Sequence, residues 1–429
     1  MIIGCDTPWS ASASSGRVLL YDWMGLRVEE ATGLKAIVLA AGEGTRLRPF
    51  TNTRPKVMIP VANRPILEYV VKALVENGVK DIVLVVGYRR ERIMSYFGSG
   101  EAFGANIEYV IQEKQLGTAH ALLAASSKVD KEFLVLAGDN IVDARMVAQL
   151  LGHDKGMAVA VASSEMASKY GVVEVEGDRV VNIVEKPTTS AETTVSTGMY
   201  RFSSEVFGVL EEARTRGVMA ITQAIVPNLK RMHLKAVHGN GKWMDVVYPW
   251  DIIKVNSAAM EWQGLSVQGT IEDNVFFKGQ VSVGAGTRIR SGCYIEGPVV
   301  IGEGCDIGPY VTIQGATSIG NAVNIGPYVN IVESVIMGGV SLGAHSHLSH
   351  CVLDEGVSAG PGLLAACSSA NVNVEKEFFH LRKIGSLFGQ NAVLGSGVAC
   401  EAGTIVGSES RIADHAAIRG NLEDRSIVV

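Results

Sequence analysis

From Leu34 onward, aliphatic runs alternate with amphipathic stretches. KAIVLAAG (35–42) and KDIVLVVGY (80–88) are near-continuous apolar runs, and ILEYVVKALVENG (66–78) between them carries helical spacing closed by Gly78. Val/Ile/Leu runs separated by helices predict a parallel sheet covered on both faces, hence an α/β domain with a mainly parallel sheet. Further strands are expected at IEYVIQ, EFLVLAGDN and MAVAVASS, and GVVEVEGDRVVNIVEKP reads as a more antiparallel hairpin region. The helix-like stretch PWDIIKVNSAAMEWQ closes this first domain, spanning 34–262.

After Leu265 the period changes. Ile271, Phe277, Val283, Ile289, Ile295, Ile301, Ile307, Ile313, Ile319, Ile325 and Ile331 stand six residues apart without a slip. A hexapeptide period describes a parallel β-helix, a prism whose short strands stack aliphatic side chains inside, with glycine or asparagine turning the corners. This second domain spans 265–429; its period drifts after Ser334, breaks around 368–381 and returns at VLGSGVACEAGTIVGS. Because a coil cannot bury its ends alone, capping or assembly into trimers is expected.

Composition narrows the classes. Apolar residues make up 47% and charged residues 19%, enough for buried cores and against global disorder. A net charge of −6 gives no electrostatic footprint for nucleic acid or an anionic membrane, and no apolar run approaches transmembrane length. Residues 1–33 lack a basic start and a continuous apolar stretch, so they do not read as a signal peptide and are set aside as an extension, disordered or a misassigned start. Cys5, Cys293, Cys305, Cys351, Cys367 and Cys400 form no C-x-x-C pair or zinc spacing, which points to free thiols in a reducing cytoplasm. Cys293 and Cys305 share a small-residue place in their hexapeptides and are expected to pack.

The chemistry concentrates where the strand ending at Ala41 enters GEGTRLRPFTNTRPK. Gly42 and Gly44 let a ligand approach the backbone at the C-terminal edge of the sheet. The G-x-G alone is weak: Leu47 occupies the place of a third dinucleotide glycine, and no Walker lysine follows. Thr45, Arg46, Pro49, Thr51, Pro55 and Lys56 add specificity, because two fixed cations beside a glycine-rich loop suit a triphosphate brought against a second phosphate. A turn bearing solvated basic residues is the alternative.

The pattern G-x-G-T-R-L-x-P-x-T-x-x-x-P-K resembles the signature of the sugar-1-phosphate nucleotidylyltransferases. With the hexapeptide domain, the chain resembles their two-domain branch, which includes archaeal bifunctional nucleotidylyltransferase/acetyltransferases. The resemblance implies a Rossmann-like nucleotidyltransferase domain followed by a left-handed parallel β-helix. It also implies attack of a sugar-1-phosphate oxygen on the α-phosphorus of a nucleoside triphosphate, with Mg2+ as cofactor. It assigns the triphosphate to Arg46, the reacting phosphates to Lys56 and the metal to Asp139 and Asp245. A lone aspartate after a strand also commonly caps a helix. Base recognition falls in QEKQLGTAHA, with Gln112 facing a pyrimidine edge and Gly117 and Thr118 beside it; LGTAHA resembles the uridylyltransferases, and His120 either contacts ligand or packs its helix. Gly171, Glu185 and Gly198 match sugar-contacting positions. Ser196, however, stands where N-acetylglucosamine-specific members carry asparagine, and Gly138–Asn140 is similar to thymidylyltransferases.

Bifunctional relatives bind acetyl-CoA between β-helices and use a histidine base. Ungapped alignment places Ser341 at their lysine, Ala344 at that histidine and His347 at their tyrosine, while Gly360 to Leu363 replace a glycine motif. His345 could serve only if the corner bulged by one residue. The cluster His345, His347 and His350 is expected to be structural rather than a metal site. The expected activity is uridylyl transfer from UTP to N-acetylglucosamine-1-phosphate by a homotrimer or higher homo-oligomer. The alternatives are a bifunctional enzyme using acetyl-CoA, a glucose-1-phosphate thymidylyltransferase and a non-catalytic regulatory subunit.

Overall fold

The computed structural model describes residues 33–153, 156–164, 167–185, 187 and 193–429, with two short strands at Leu20–Tyr21 and Arg27–Val28. Most of 1–33, Cys5 included, lies outside the described residues.

Four runs read as strands form β1 (Lys35–Ala40), β2 (Asp81–Val86), β3 (Asn106–Ile111) and β4 (Glu132–Ala137). They pair in parallel in the order β4–β1–β2–β3. The remaining strands are β5 (Ala158–Ser164), β6 (Gly171–Glu176), β7 (Arg179–Glu185), β8 (Thr193–Ser203) and β9 (Lys235–His238). They form a wing attached through β8 to β4, and most of its pairings are antiparallel, in keeping with the hairpin pattern at 171–185. Helix α1 (Ile66–Glu76) buries its aliphatic face on the sheet. No helix among the described residues is long and apolar enough to cross a membrane.

From Thr270 to Val428 the chain winds into a left-handed parallel β-helix with three walls of nine, eight and eight short strands. Nine of the eleven hexapeptide apolar positions, Val283 to Ile331, are buried in its core, as are Cys293 and Cys305. Ile271 is half-buried and Phe277 exposed, because the first coil has no coil stacked beneath it. The drift after Ser334 is a coil shortened by one residue: Asp306 pairs with Asn324, but Asn324 pairs with Ser341. The break at 368–381 is an inserted antiparallel hairpin, Ser368–Val374 and Glu377–Ile384, between two wall strands.

Four consecutive strands of one wall are apolar on both faces. Ile336, Leu353, Phe388 and Val406 point into the prism, while Val335, Val352, Leu387 and Ile405 pack against Leu47, Phe50, Ile59 and Val255 of the first domain. Buried polar contacts set the register of this docking. Asn256 Oδ1 accepts from Ala62 N and from Ser318 Oγ, both at 2.7 Å, and its Nδ2 donates to Ala316 O at 3.1 Å. Arg54 Nη2 donates to Asp354 Oδ1 at 2.7 Å and lies 3.0 Å from Glu355 Oε2, with Arg54 and Asp354 almost fully buried.

Burial pushes the Asp354 carboxyl up to about 6, and the Arg54 guanidinium offsets only part of that shift. Its contribution to stability is therefore fullest below the unfolded value near 3.8 and is lost as pH rises through about 6. Arg54→Ala should cost about 3–5 kcal/mol at neutral pH, because a buried charge loses its partner. The cost should shrink at mildly acidic pH, where the carboxyl is protonated in both proteins. Thermal unfolding of the two proteins across this range checks it; a penalty that grows on acidification would be the wrong sign.

Candidate active site

Hydrogen bonds within the loop after β1 hold it in shape. Thr51 Oγ1 donates to Gly44 O at 2.9 Å, and Leu47 N donates to the same carbonyl at 3.0 Å. Gly44 has φ +78°, and a Cβ there would lie 2.7 Å from Lys56 Cβ, so the glycine makes room for the lysine. The turn Thr45–Leu47 leaves Arg46 exposed at the mouth, and the turn Lys56–Met58 sends Lys56 inward.

A small ladder assembles the carboxylates. Trp243–Asp245 pairs antiparallel with Asn140–Val142, setting Asp245 opposite Asn140 and therefore next to Asp139 at the end of β4. Lys56 Nζ donates to Asp139 Oδ2 at 2.7 Å and to Asp245 Oδ1 at 2.6 Å. Burial opposes charge on Lys56, but the two carboxylates win and hold its ammonium above the ordinary lysine value. Burial pushes Asp245 up, with Lys56 pulling the other way. Two adjacent carboxylates are a hard oxygen donor set that fits magnesium, which keeps waters and takes substrate phosphate oxygens rather than demanding a full protein cage. Among the described residues no group of three or more acidic, histidine or cysteine side chains could hold a metal.

Gln112 follows β3 and is buried; its Nε2 donates to Gly117 O at 3.2 Å and lies 2.9 Å from His120 Nδ1. His120 thus packs and orients Gln112. Gly117 has φ +133°, and a Cβ would sit 2.5 Å from Met219 O. Thr118 Oγ1 accepts from Ile221 N at 3.0 Å, so this pair latches the segment at 219–221. Gly42, Gly44, Thr45, Arg46, Lys56, Gln112, Gly117, Thr118, Asp139 and Asp245 all line one cavity of about 680 Å3.

The sequence profile of the nucleotidyl transferase family matches residues 35–261, more than half of the chain. The chain belongs to the nucleotidyl transferase family. A hexapeptide-repeat profile of bacterial transferases (six repeats) matches 280–315. "Bifunctional protein GlmU" of Methanococcus maripaludis is 38% identical over 92% of this chain and 97% of its own length. A bifunctional sugar-1-phosphate nucleotidylyltransferase/acetyltransferase of Sulfurisphaera tokodaii is 32% identical over 88% and 96%. Among solved structures, a putative glucose-1-phosphate thymidylyltransferase from Bacillus anthracis matches with TM-score 0.50 and 28% identity, covering 54% of this chain and 97% of that one.

In this nucleotidyl transferase, Gly171, Glu185 and Gly198 are not among the residues lining the cavity. Gly171 pairs with Glu185 across β6 and β7, and the Glu185 carboxylate accepts from Thr222 Oγ1. Gly198, at φ +74°, backs onto Ala137, which does line it. The Ser196 hydroxyl lies 3.1 Å from Tyr200 OH and is buried. Sequence reasoning missed Lys169, Gln115 and Glu375, which also line the cavity.

On the β-helix, His345 is an exposed corner residue at φ +59° whose ring stacks on Tyr328 at 5.0 Å, which in turn stacks on Tyr310. His347 lies in a wall strand and His350 at another corner, bonded to Glu333 Oε2 at 2.8 Å. The three do not form a metal-ligating group.

Gly44→Ala should displace Lys56, because both the positive φ and the missing space oppose a Cβ. The expected result is a fall in pyrophosphate release of about tenfold or more, for a functional geometry shifted by an ångström or so. A kinetic assay beside a thermal melt checks it; unchanged turnover would show the lysine does not need that position.

Proposed function

We propose that the chain transfers a uridylyl group from UTP to N-acetylglucosamine-1-phosphate, releasing pyrophosphate. The observation that carries this is the convergence of Arg46, Lys56, Asp139 and Asp245 on one cavity beside the Gln112–Thr118 segment. The names of the full-length relatives support a sugar-1-phosphate acceptor. The retained cations and carboxylates weigh against a non-catalytic regulatory subunit.

In the reaction an oxygen of the sugar phosphate bonds to the α-phosphorus as the bond to the β-phosphate oxygen breaks. Nucleophile and leaving group are already anionic, so the protein positions polyanions and offsets their repulsion. Arg46, at the cavity mouth, would hold the triphosphate and the departing pyrophosphate. Lys56 remains charged near neutral pH, which suits it to electrostatic stabilisation rather than proton transfer. Asp139 and Asp245 would hold magnesium, which when bound supplies charge neutralisation to the phosphate oxygens. Gln112, with Nε2 engaged, keeps its carbonyl oxygen to accept from a base N–H. We assign the β-helix to holding a homo-oligomer, a trimer being the arrangement expected of its prism.

Arg46→Ala and Asp245→Ala should each lower turnover by about 10²-fold, the usual cost of removing a charge-stabilising group. Chelation of divalent metal should abolish it. A matrix of nucleoside triphosphates against sugar-1-phosphates, scored by pyrophosphate release, tests the substrate pair. Preference for dTTP with glucose-1-phosphate would favour the thymidylyltransferase reading that Ser196 and Gly138–Asn140 raise.

Acetyl transfer is the second reading, favoured by the bifunctional relatives. Ala344 cannot accept a proton, and His345 stacks at a corner on Tyr328. Acetyl-CoA-dependent acetylation of glucosamine-1-phosphate should therefore be absent or very weak by free-thiol release. Robust turnover lost in His345→Ala would make the protein bifunctional.

A further inference from the structure

The hairpin that interrupts the β-helix reaches the first domain at the triphosphate loop and at the segment just after Asp245. Its turn is Glu375–Lys376, both at positive φ. Thr45 Oγ1 donates to Glu375 Oε1 at 2.8 Å, and Arg46 Nε lies 3.5 Å from Glu375 Oε2. Three residues beyond Asp245, Tyr248 OH donates to Glu377 Oε2 at 3.4 Å, and the Phe379 ring packs on Tyr248 and Trp250 at 4.5 and 5.2 Å. Lys169, which also lines the cavity, sits 4.6 Å from the Tyr248 ring. The ring contacts anchor the hairpin, and the Glu375 carboxylate occupies the exposed end of the loop.

We propose that Glu375 is a positioning residue of the nucleotide site: in the unliganded protein its carboxylate takes the place of a phosphate on Thr45 and Arg46, and an incoming triphosphate must displace it. The inference rests on the nucleotidyl transfer reading above and adds that the second domain sets the affinity of the first for its triphosphate. A carboxylate is a weak stand-in for a polyanion. Arg46 and Glu375 are each about half-exposed at 48%, so their pairing is modest and readily exchanged. On release of pyrophosphate the same carboxylate returns to Arg46, keeping the loop ordered between turnovers.

Glu375→Gln isolates the charge, since an amide oxygen can still accept from Thr45. The full-length protein is titrated calorimetrically with inorganic tripolyphosphate and magnesium, at low and high salt, and assayed for pyrophosphate release with UTP and N-acetylglucosamine-1-phosphate. Tripolyphosphate should bind Glu375→Gln about threefold or more tightly than wild type, with the gain shrinking at high salt as screening predicts. The KM for nucleotide should fall in parallel, and the KM for the sugar phosphate should move less. Turnover of UTP by wild type with unchanged or weaker tripolyphosphate binding in Glu375→Gln would overturn this inference alone. Failure of both proteins to bind tripolyphosphate or turn over UTP would overturn the functional reading and the inference with it.

Discussion

Arg54 sits two residues before Lys56 in the signature loop, and its guanidinium is buried against Asp354 of the β-helix. That buried pair ties the loop to a wall of the β-helix, beside the more exposed contacts of Thr45 and Arg46 with Glu375 and of Asn52 with Asp424. Its net contribution to stability need not be large, because desolvating both charges opposes their attraction. The apolar stripe of Val335, Val352, Leu387 and Ile405 supplies the adhesion, at about 1.5–3 kcal/mol for each fully buried side chain. The ion pair supplies register: a coil slipped along the stripe would keep much of the apolar contact but strand a buried arginine. The position of Lys56, and through it the spacing of Asp139 and Asp245, is thus referred to a β-helix wall.

The β-helix was legible because each hexapeptide stacks its aliphatic on the one before, making the period a direct print of the fold. The docking wall has a sequence print too, of a different kind. Most strands of a solvent-facing wall pair one polar with one apolar residue, as in Arg288–Ile289, Asp306–Ile307 and Asn324–Ile325. In the docked wall both are apolar, as in Val335–Ile336, Val352–Leu353, Leu387–Phe388 and Ile405–Val406. Two-sided burial abolishes the alternation that marks a half-exposed strand. Phe277 fits the period yet lies exposed, because the period records position in a coil and not whether another coil covers it.

At the site, the cations and carboxylates could be found from local motifs because each stands at a strand end or in a signature loop. Their division of labour could not be found in this way. Thr118 of LGTAHA lines the cavity and its hydroxyl also latches the segment at 219–221. Gln112 reads as a base reader, and its donor is already engaged by Gly117 and His120. Glu375 was invisible: it lies 329 residues from Arg46 in a stretch whose only sequence feature is a broken period. Only the docking of the two domains makes it a neighbour.

The charges of the cavity are arranged as pairs. Asp139 and Asp245 so close together would repel each other strongly without Lys56 between them, and Arg46 has Glu375 as its partner. On the function proposed above, a cation on the two aspartates would compete with the Lys56 ammonium for the same oxygens, and a triphosphate would compete with Glu375 for Arg46. Each ligand would therefore release a protein charge of the sign that the other ligand needs, the freed lysine favouring phosphate. On that reading the arrangement would couple the binding of metal and triphosphate through side chains already in contact, without a change of fold.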